Sequence, residues 1–145
     1  MHHSLGAQEG LTMQVLRWIA VLPGAVVFGY LAYLVGGFVN NMTTAMFIGA
    51  PLKGWLAVAT DAMAHMYMGA AFAYSAIRIA PAAPRYVASG AFAVLVAFAA
   101  SSVWSSFGIG KYYAIPAIGG LLFGGFAVML GTLAGEISPY GKTAG

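Results

Sequence analysis

Asp61 and His65 stand four residues apart inside an otherwise apolar run from Leu52 to Ala80. On a helix that spacing puts both on one face, about one turn apart. An acid and an imidazole so placed support two kinds of chemistry. A carboxylate pushed toward neutrality by burial beside an imidazole exchanges protons near neutral pH. An imidazole on an apolar helix can also serve as an axial ligand to haem iron or to the magnesium of a chlorin pigment. The plainer alternative is structural: Asp61 bonds His65 or a serine of a neighbouring helix, at about 0.6 kcal/mol per interhelical bond.

The elements that must position this pair are hydrophobic spans. Of 145 residues, 61% are hydrophobic and 6% charged, and the mean hydropathy is +0.87. A soluble domain carries roughly 25% charged residues, so most of this chain has lipid as its solvent. Four apolar spans are predicted at 15–39, 52–80, 85–107 and 112–134. Each exceeds the roughly 20 residues that cross a hydrocarbon core. None alternates with a period of two, as a strand would. Pro81-Ala82-Ala83-Pro84 and Gly108-Ile109-Gly110-Lys111 are tight connections, and 40–51 holds Asn, Thr, Gly and Pro breakers. Short connections make sequential helices antiparallel neighbours. The predicted class is an all-α membrane protein, a four-transmembrane-helix bundle running up-down-up-down. It has a polar arm at 1–14, a membrane domain at 15–135 and a short tail at 136–145.

Flanking cations orient the spans. Arg17, Arg78, Arg85 and Lys142 fall on one side, Lys53 and Lys111 on the other. The excess puts both termini in the cytoplasm. The first span is too long for a signal-peptide core and is read as a retained helix. The six Lys and Arg are scattered singly, so no basic patch exists to grip nucleic acid. The chain has no cysteine, which excludes disulfides, thiolate metal sites and thiol catalysis.

With this orientation, polar residues gather on the outer side. Ser101, Ser102, Ser105 and Ser106 lie in the outer half of span three. Asn40, Asn41, Thr43 and Thr44 crowd the outer end of span one. They form a candidate vestibule for Asp61 and His65, although no second acid or base continues the route inward. Met63, Met66 and Met68 around His65 read as gap-fillers. His65 is the one histidine inside a span, so bis-histidine haem would need a ligand from another chain. The adjacent His2 and His3 lack the further ligands that a metal needs. Gly-x-Ser-x-Gly, His-Glu-x-x-His and the phosphate-binding loop are all absent, so no enzyme is expected.

Glycines supply the packing signal. Gly120 and Gly124 are four apart in span four, as are Gly131 and Gly135, and Gly29, Gly36 and Gly37 punctuate span one. Small residues at this spacing let backbones approach closely in lipid. They fit either the chain's own bundle or the docking of another subunit. Pro23 and Pro116 fall inside spans one and four, where each would free a carbonyl one turn earlier, from Ile19 and Tyr112.

The stretch LRWIAVLPGAVVFGYL from Leu16 to Leu31 resembles the opening helix of small four-helix inner-membrane proteins of bacteria. The resemblance covers one span and implies location, not activity. The expected role is a non-enzymatic accessory or structural subunit in a larger membrane complex or homo-oligomer. The alternatives are a proton-linked or small-cation channel or transporter working through Asp61 and His65, and a haem or pigment protein using His65.

Overall fold

The computed structural model describes residues 3–49, 52–107 and 114–137, with side chains for 11–49, 52–104 and 114–137. Four helices fill these segments: α1 at His3–Ile48, α2 at Trp55–Ile79, α3 at Pro84–Phe107 and α4 at Ala114–Leu133. Lys111, Tyr112, Tyr113 and Lys142 lie outside the described residues, as do the tail beyond 137 and the connection at 108–113.

α1 has 46 residues, about 69 Å at a rise of ~1.5 Å each. That is about twice the thickness of a hydrocarbon core. The expected connection at 40–51 is helical through Ile48, and the expected polar arm at 1–14 is helical where described. The reason is visible at the connection. Thr43 and Thr44 donate their hydroxyls to the carbonyls of Val39 and Asn40, and Asn41 donates its amide to that of Gly37, each at 2.8 Å. Polar side chains satisfied one turn back do not compete for the helix backbone. α1 ends only at Gly49, whose φ of 67° suits a residue without Cβ. It also passes through Pro23 unbroken. Pro116 falls in the first described turn of α4.

The helices pack in an open order. α1 touches α2 alone, α2 also touches α4 and α3, and α3 rests on α4. Arg17 meets Ile79 and Asn40 meets Thr60, so α1 and α2 are antiparallel. Gly120 faces Ala62 and Gly124 faces Met66, so α2 and α4 are parallel. The core lies mainly along the α2–α4–α3 side, where Phe72, Ala73, Ile77, Ala88, Leu95 and Leu121 are buried, and α1 adds the fully buried Ala25. Buried Thr60, Ser75 and Thr132 each return their hydroxyl to a carbonyl of their own helix, so none leaves an unmet bond in the core.

Among the described residues, three helical stretches are long and apolar enough to cross a membrane: Leu11–Ile48, Pro84–Trp104 and Ala114–Leu133. This is consistent with a small membrane protein. α2 is not among the three, since Asp61, His65 and Arg78 interrupt its apolar surface. It is instead the helix in contact with all the others. In a lipid solvent the least apolar helix belongs in the middle, where protein rather than acyl chains surrounds its polar groups.

Candidate functional site

Asp61 and His65 meet as their spacing predicts, and a third residue joins them from α1. The His65 Nδ1 lies 2.8 Å from the main-chain oxygen of Asp61 and 3.5 Å from its carboxylate Oδ2. The Tyr33 hydroxyl donates to Asp61 Oδ1 at 3.4 Å. The Tyr33 and His65 rings meet edge to face with centroids 4.8 Å apart. Tyr30, one turn earlier on α1, stacks beside Tyr33 at 6.4 Å.

The antiparallel course of α1 past α2 sets this geometry. Gly37 rests on Ala64 and Gly36 on the Tyr67 ring, which brings the α1 backbone close enough for Tyr33 to reach across. At the far end Arg17 Nε donates to the Ile79 carbonyl at 3.1 Å. That carbonyl is one of the four that a helix C-terminus leaves unpaired, so α1 caps α2 at that end.

The bonding leaves Asp61 under-supplied. The shortest contact of His65 is to the backbone, not to the carboxylate, so a neutral imidazole with its proton on Nδ1 is satisfied. The carboxylate then has two long contacts, against a usual O–H···O distance of about 2.7–2.8 Å. An ionised carboxylate has room for about four donors. Its side chain is 48% exposed, while that of His65 is 26% exposed. It opens into a cavity of about 360 Å³ bounded by Tyr33, Leu34, Phe38, Asn41, Ala57 and neighbouring small residues.

The other expected members of the cluster disperse. Asn41 lines the same cavity as Asp61. Asn40, 100° further round the helix, turns to the other side of α2 and reaches the Thr60 carbonyl at 3.4 Å and Met63 Sδ at 3.8 Å. There it lines a larger groove of about 710 Å³ between α1, α2 and α4, with Val35, Gly36, Tyr67, Tyr74 and Val128. Ser101 and Ser102 both bond back to the Phe98 carbonyl of α3, and α3 does not touch α1. These bonds lie within α3, which packs against α2 and α4. The side chains of Ser105 and Ser106 lie outside the described residues.

The glycine expectation divides in the same way. Gly120 and Gly124 face α2 so closely that a Cβ on either would overlap the backbone of Ala62 or Met66. Gly69, which the spacing argument passed over, is the reciprocal contact: its Cβ would run into the backbone of Leu121. Gly135 instead ends α4. Its φ is 79°, and Glu136 N donates back to the Gly131 carbonyl at 2.9 Å, a helix stop of the left-handed type. Gly131 meets the Ile137 side chain of that same turn rather than another helix.

Tyr33 was missed because a tyrosine among Leu, Val and Gly reads as interfacial or packing surface. The available signal was its separation by three from Tyr30 and by four from Gly37, which places all of them along one stripe of α1. Among the described residues no group of three or more His, Asp or Glu gathers as a metal site. Comparison of the chain with family models, curated proteins and solved structures finds no match.

Proposed function

We propose that this is a non-enzymatic accessory subunit of a membrane assembly, either a hetero-complex or a homo-oligomer. All four helices would cross a bacterial inner membrane in alternating directions, with both termini on the cytoplasmic side. The apolar face of α1 is not the argument, since in lipid an exposed Leu or Phe is an ordinary surface. The supporting observation is the half-exposed Asp61 side chain. The cost of a charged side chain peaks at about 2.5–3.5 kcal/mol at the centre of a membrane helix, and Asp61, about 9 Å from the midpoint of α2, bears part of it. Long contacts to Tyr33 and His65 offset part of that at most. A neighbouring subunit over the α1–α2 seam would remove the exposure. The arginines support the orientation: Arg17 reaches the end of α2, and Arg78 and Arg85 flank the turn that follows.

Mild extraction followed by native mass measurement tests this reading. The expected result is the chain in more than one copy or with a co-purifying chain. A stable lone monomer overturns it.

A second reading has its own observation. The Tyr33–Asp61–His65 group borders a cavity, as a proton-linked or small-cation channel or transporter would require. Flux into liposomes is then expected to fall in Asp61→Asn and His65→Ala. Undiminished flux in both removes this reading. The haem or pigment alternative would use the remaining nitrogen of His65, and a colourless purified protein ends it.

A further inference from the structure

The cavity beside Asp61 has a character that neither subunit packing nor proton transfer requires. One wall is an under-supplied carboxylate. About half of the exposed lining is polar; in the other half Tyr33 and Phe38 bring rings, and Leu34 and Ala57 bring hydrocarbon. Asn41 commits its amide nitrogen to the Gly37 carbonyl, so what it has left to offer is an acceptor oxygen. The polar groups facing the space therefore favour a positive guest, and the apolar half favours one that also carries hydrocarbon.

Size and oxygen count narrow the guest. Hard divalent cations need six or more oxygen ligands, and here three side chains supply oxygen: Asp61, Tyr33 and Asn41. A volume of about 360 Å³ is at the small end of the roughly 300–1,000 Å³ typical of ligand pockets. It is far more than a bare ion fills. Aromatic faces attract an alkylated ammonium without asking it for hydrogen bonds. We propose that the cavity between α1 and α2 binds a small organic cation, its charge against Asp61 and its alkyl or aryl groups against Phe38 and Leu34. This rests on the reading of Asp61 as a charged cation site and specifies the guest; it does not depend on the assembly.

The probe is benzyltrimethylammonium, titrated into the purified full-length chain in nanodiscs and followed by calorimetry. Its control is neopentylbenzene, the uncharged carbon isostere of the same shape. Saturable binding of the cation is expected, with none of the isostere. Asp61→Asn is expected to weaken binding about tenfold or more. Phe38→Leu keeps the carboxylate and is expected to weaken it roughly 2- to 30-fold, which maintains the test if the Asp61 variant fails to insert. Ser102→Ala, on α3, is expected to bind as the parent does. Equal binding of the isostere, or undiminished binding in both Asp61→Asn and Phe38→Leu, overturns the proposal. Displacement of the probe by equimolar sodium overturns the organic guest but leaves the cation-site reading standing. Loss of flux without any probe binding would do the same. A monomer that binds the probe refutes the assembly and keeps the cation site.

Discussion

α2 makes its two broadest contacts with α1 and α4, and meets them in different ways. Towards α4 the contact is backbone on backbone, made by Gly69, Gly120 and Gly124, with nothing between the helices that could move aside. Towards α1 it is made largely by side chains. A Cβ on Gly24 would meet the tip of Ile79, and one on Gly36 the Tyr67 ring. The α1 seam also holds the Tyr33–Asp61–His65 group and is flanked by both cavities. The α4 seam is closed at Gly69, Gly120 and Gly124, borders the larger groove at Val128, and its buried hydroxyls are satisfied. Close packing is what holds helices together in lipid, so the α4 seam carries the stability. The looser α1 seam has room for polar groups and a guest.

Alanine substitutions along the two seams would break this contrast most directly. Gly124→Ala is expected to cost about 1–3 kcal/mol or more, because overpacking against a backbone cannot be relieved by a rotamer change. Gly120→Ala and Gly69→Ala should behave alike. Gly29 stands between the extremes, with the Met68 carbonyl and the Phe72 Cβ each 3.2 Å from its would-be Cβ, and its variant should lose less. Gly24→Ala should cost under about 1 kcal/mol, since Ile79 can turn away and alanine is the better helix former. Gly119 faces open space, so its alanine variant should gain about 0.5–1 kcal/mol from helix propensity and serves as the control without a steric cost. Unfolding in mixed micelles, followed by circular dichroism, gives the order. Equal losses at Gly24 and Gly124 would show that the two seams do not differ.

The polar group sharpens the same contrast. Asp61→Asn removes a charge while keeping an acceptor for Tyr33. Its effect on stability should be a loss of no more than about 0.6 kcal/mol, the usual size of an interhelical hydrogen bond, or a net gain from removing the exposed charge. Binding or flux should change far more. A loss as large as that of Gly124→Ala would make Asp61 a structural tie rather than a site.

What the sequence disclosed follows from how local each signal is. Four helical segments and the Asp61–His65 contact are written in short-range periodicity, so they were legible. The reach of α1 was not, because Asn41, Thr43 and Thr44 are read as breakers until their bonds to the preceding turn are seen. Tyr33 and Gly69 owe their roles to another helix. A single chain gives no account of which face of α1 meets α2, or of which α4 residue lies against Gly69. The dispersal of Asn40 from Asn41 has the same origin: neighbours in sequence, they straddle the ridge that α2 packs against. Gly135 was misread because a glycine four after another looks like a packing pair whether it continues the helix or ends it.

A gain rather than a loss is expected at the turn between α2 and α3, which belongs to neither seam. Ala83 has φ 56°, a left-handed conformation that costs a residue with a Cβ about 1–2 kcal/mol. Glycine would relieve that strain while adding roughly 0.5–1 kcal/mol of freedom to the unfolded chain. Ala83→Gly should therefore stabilise by about 0.5–1 kcal/mol in the same micelle assay. The gain should be the same in the Gly124→Ala background, because sites with no shared contact add. A gain that vanishes in the double variant would mean that the turn and the α2–α4 seam respond as one unit. The closed seam would then include the α2–α3 turn, leaving the α1 side as the one part of α2 free to adjust around a guest.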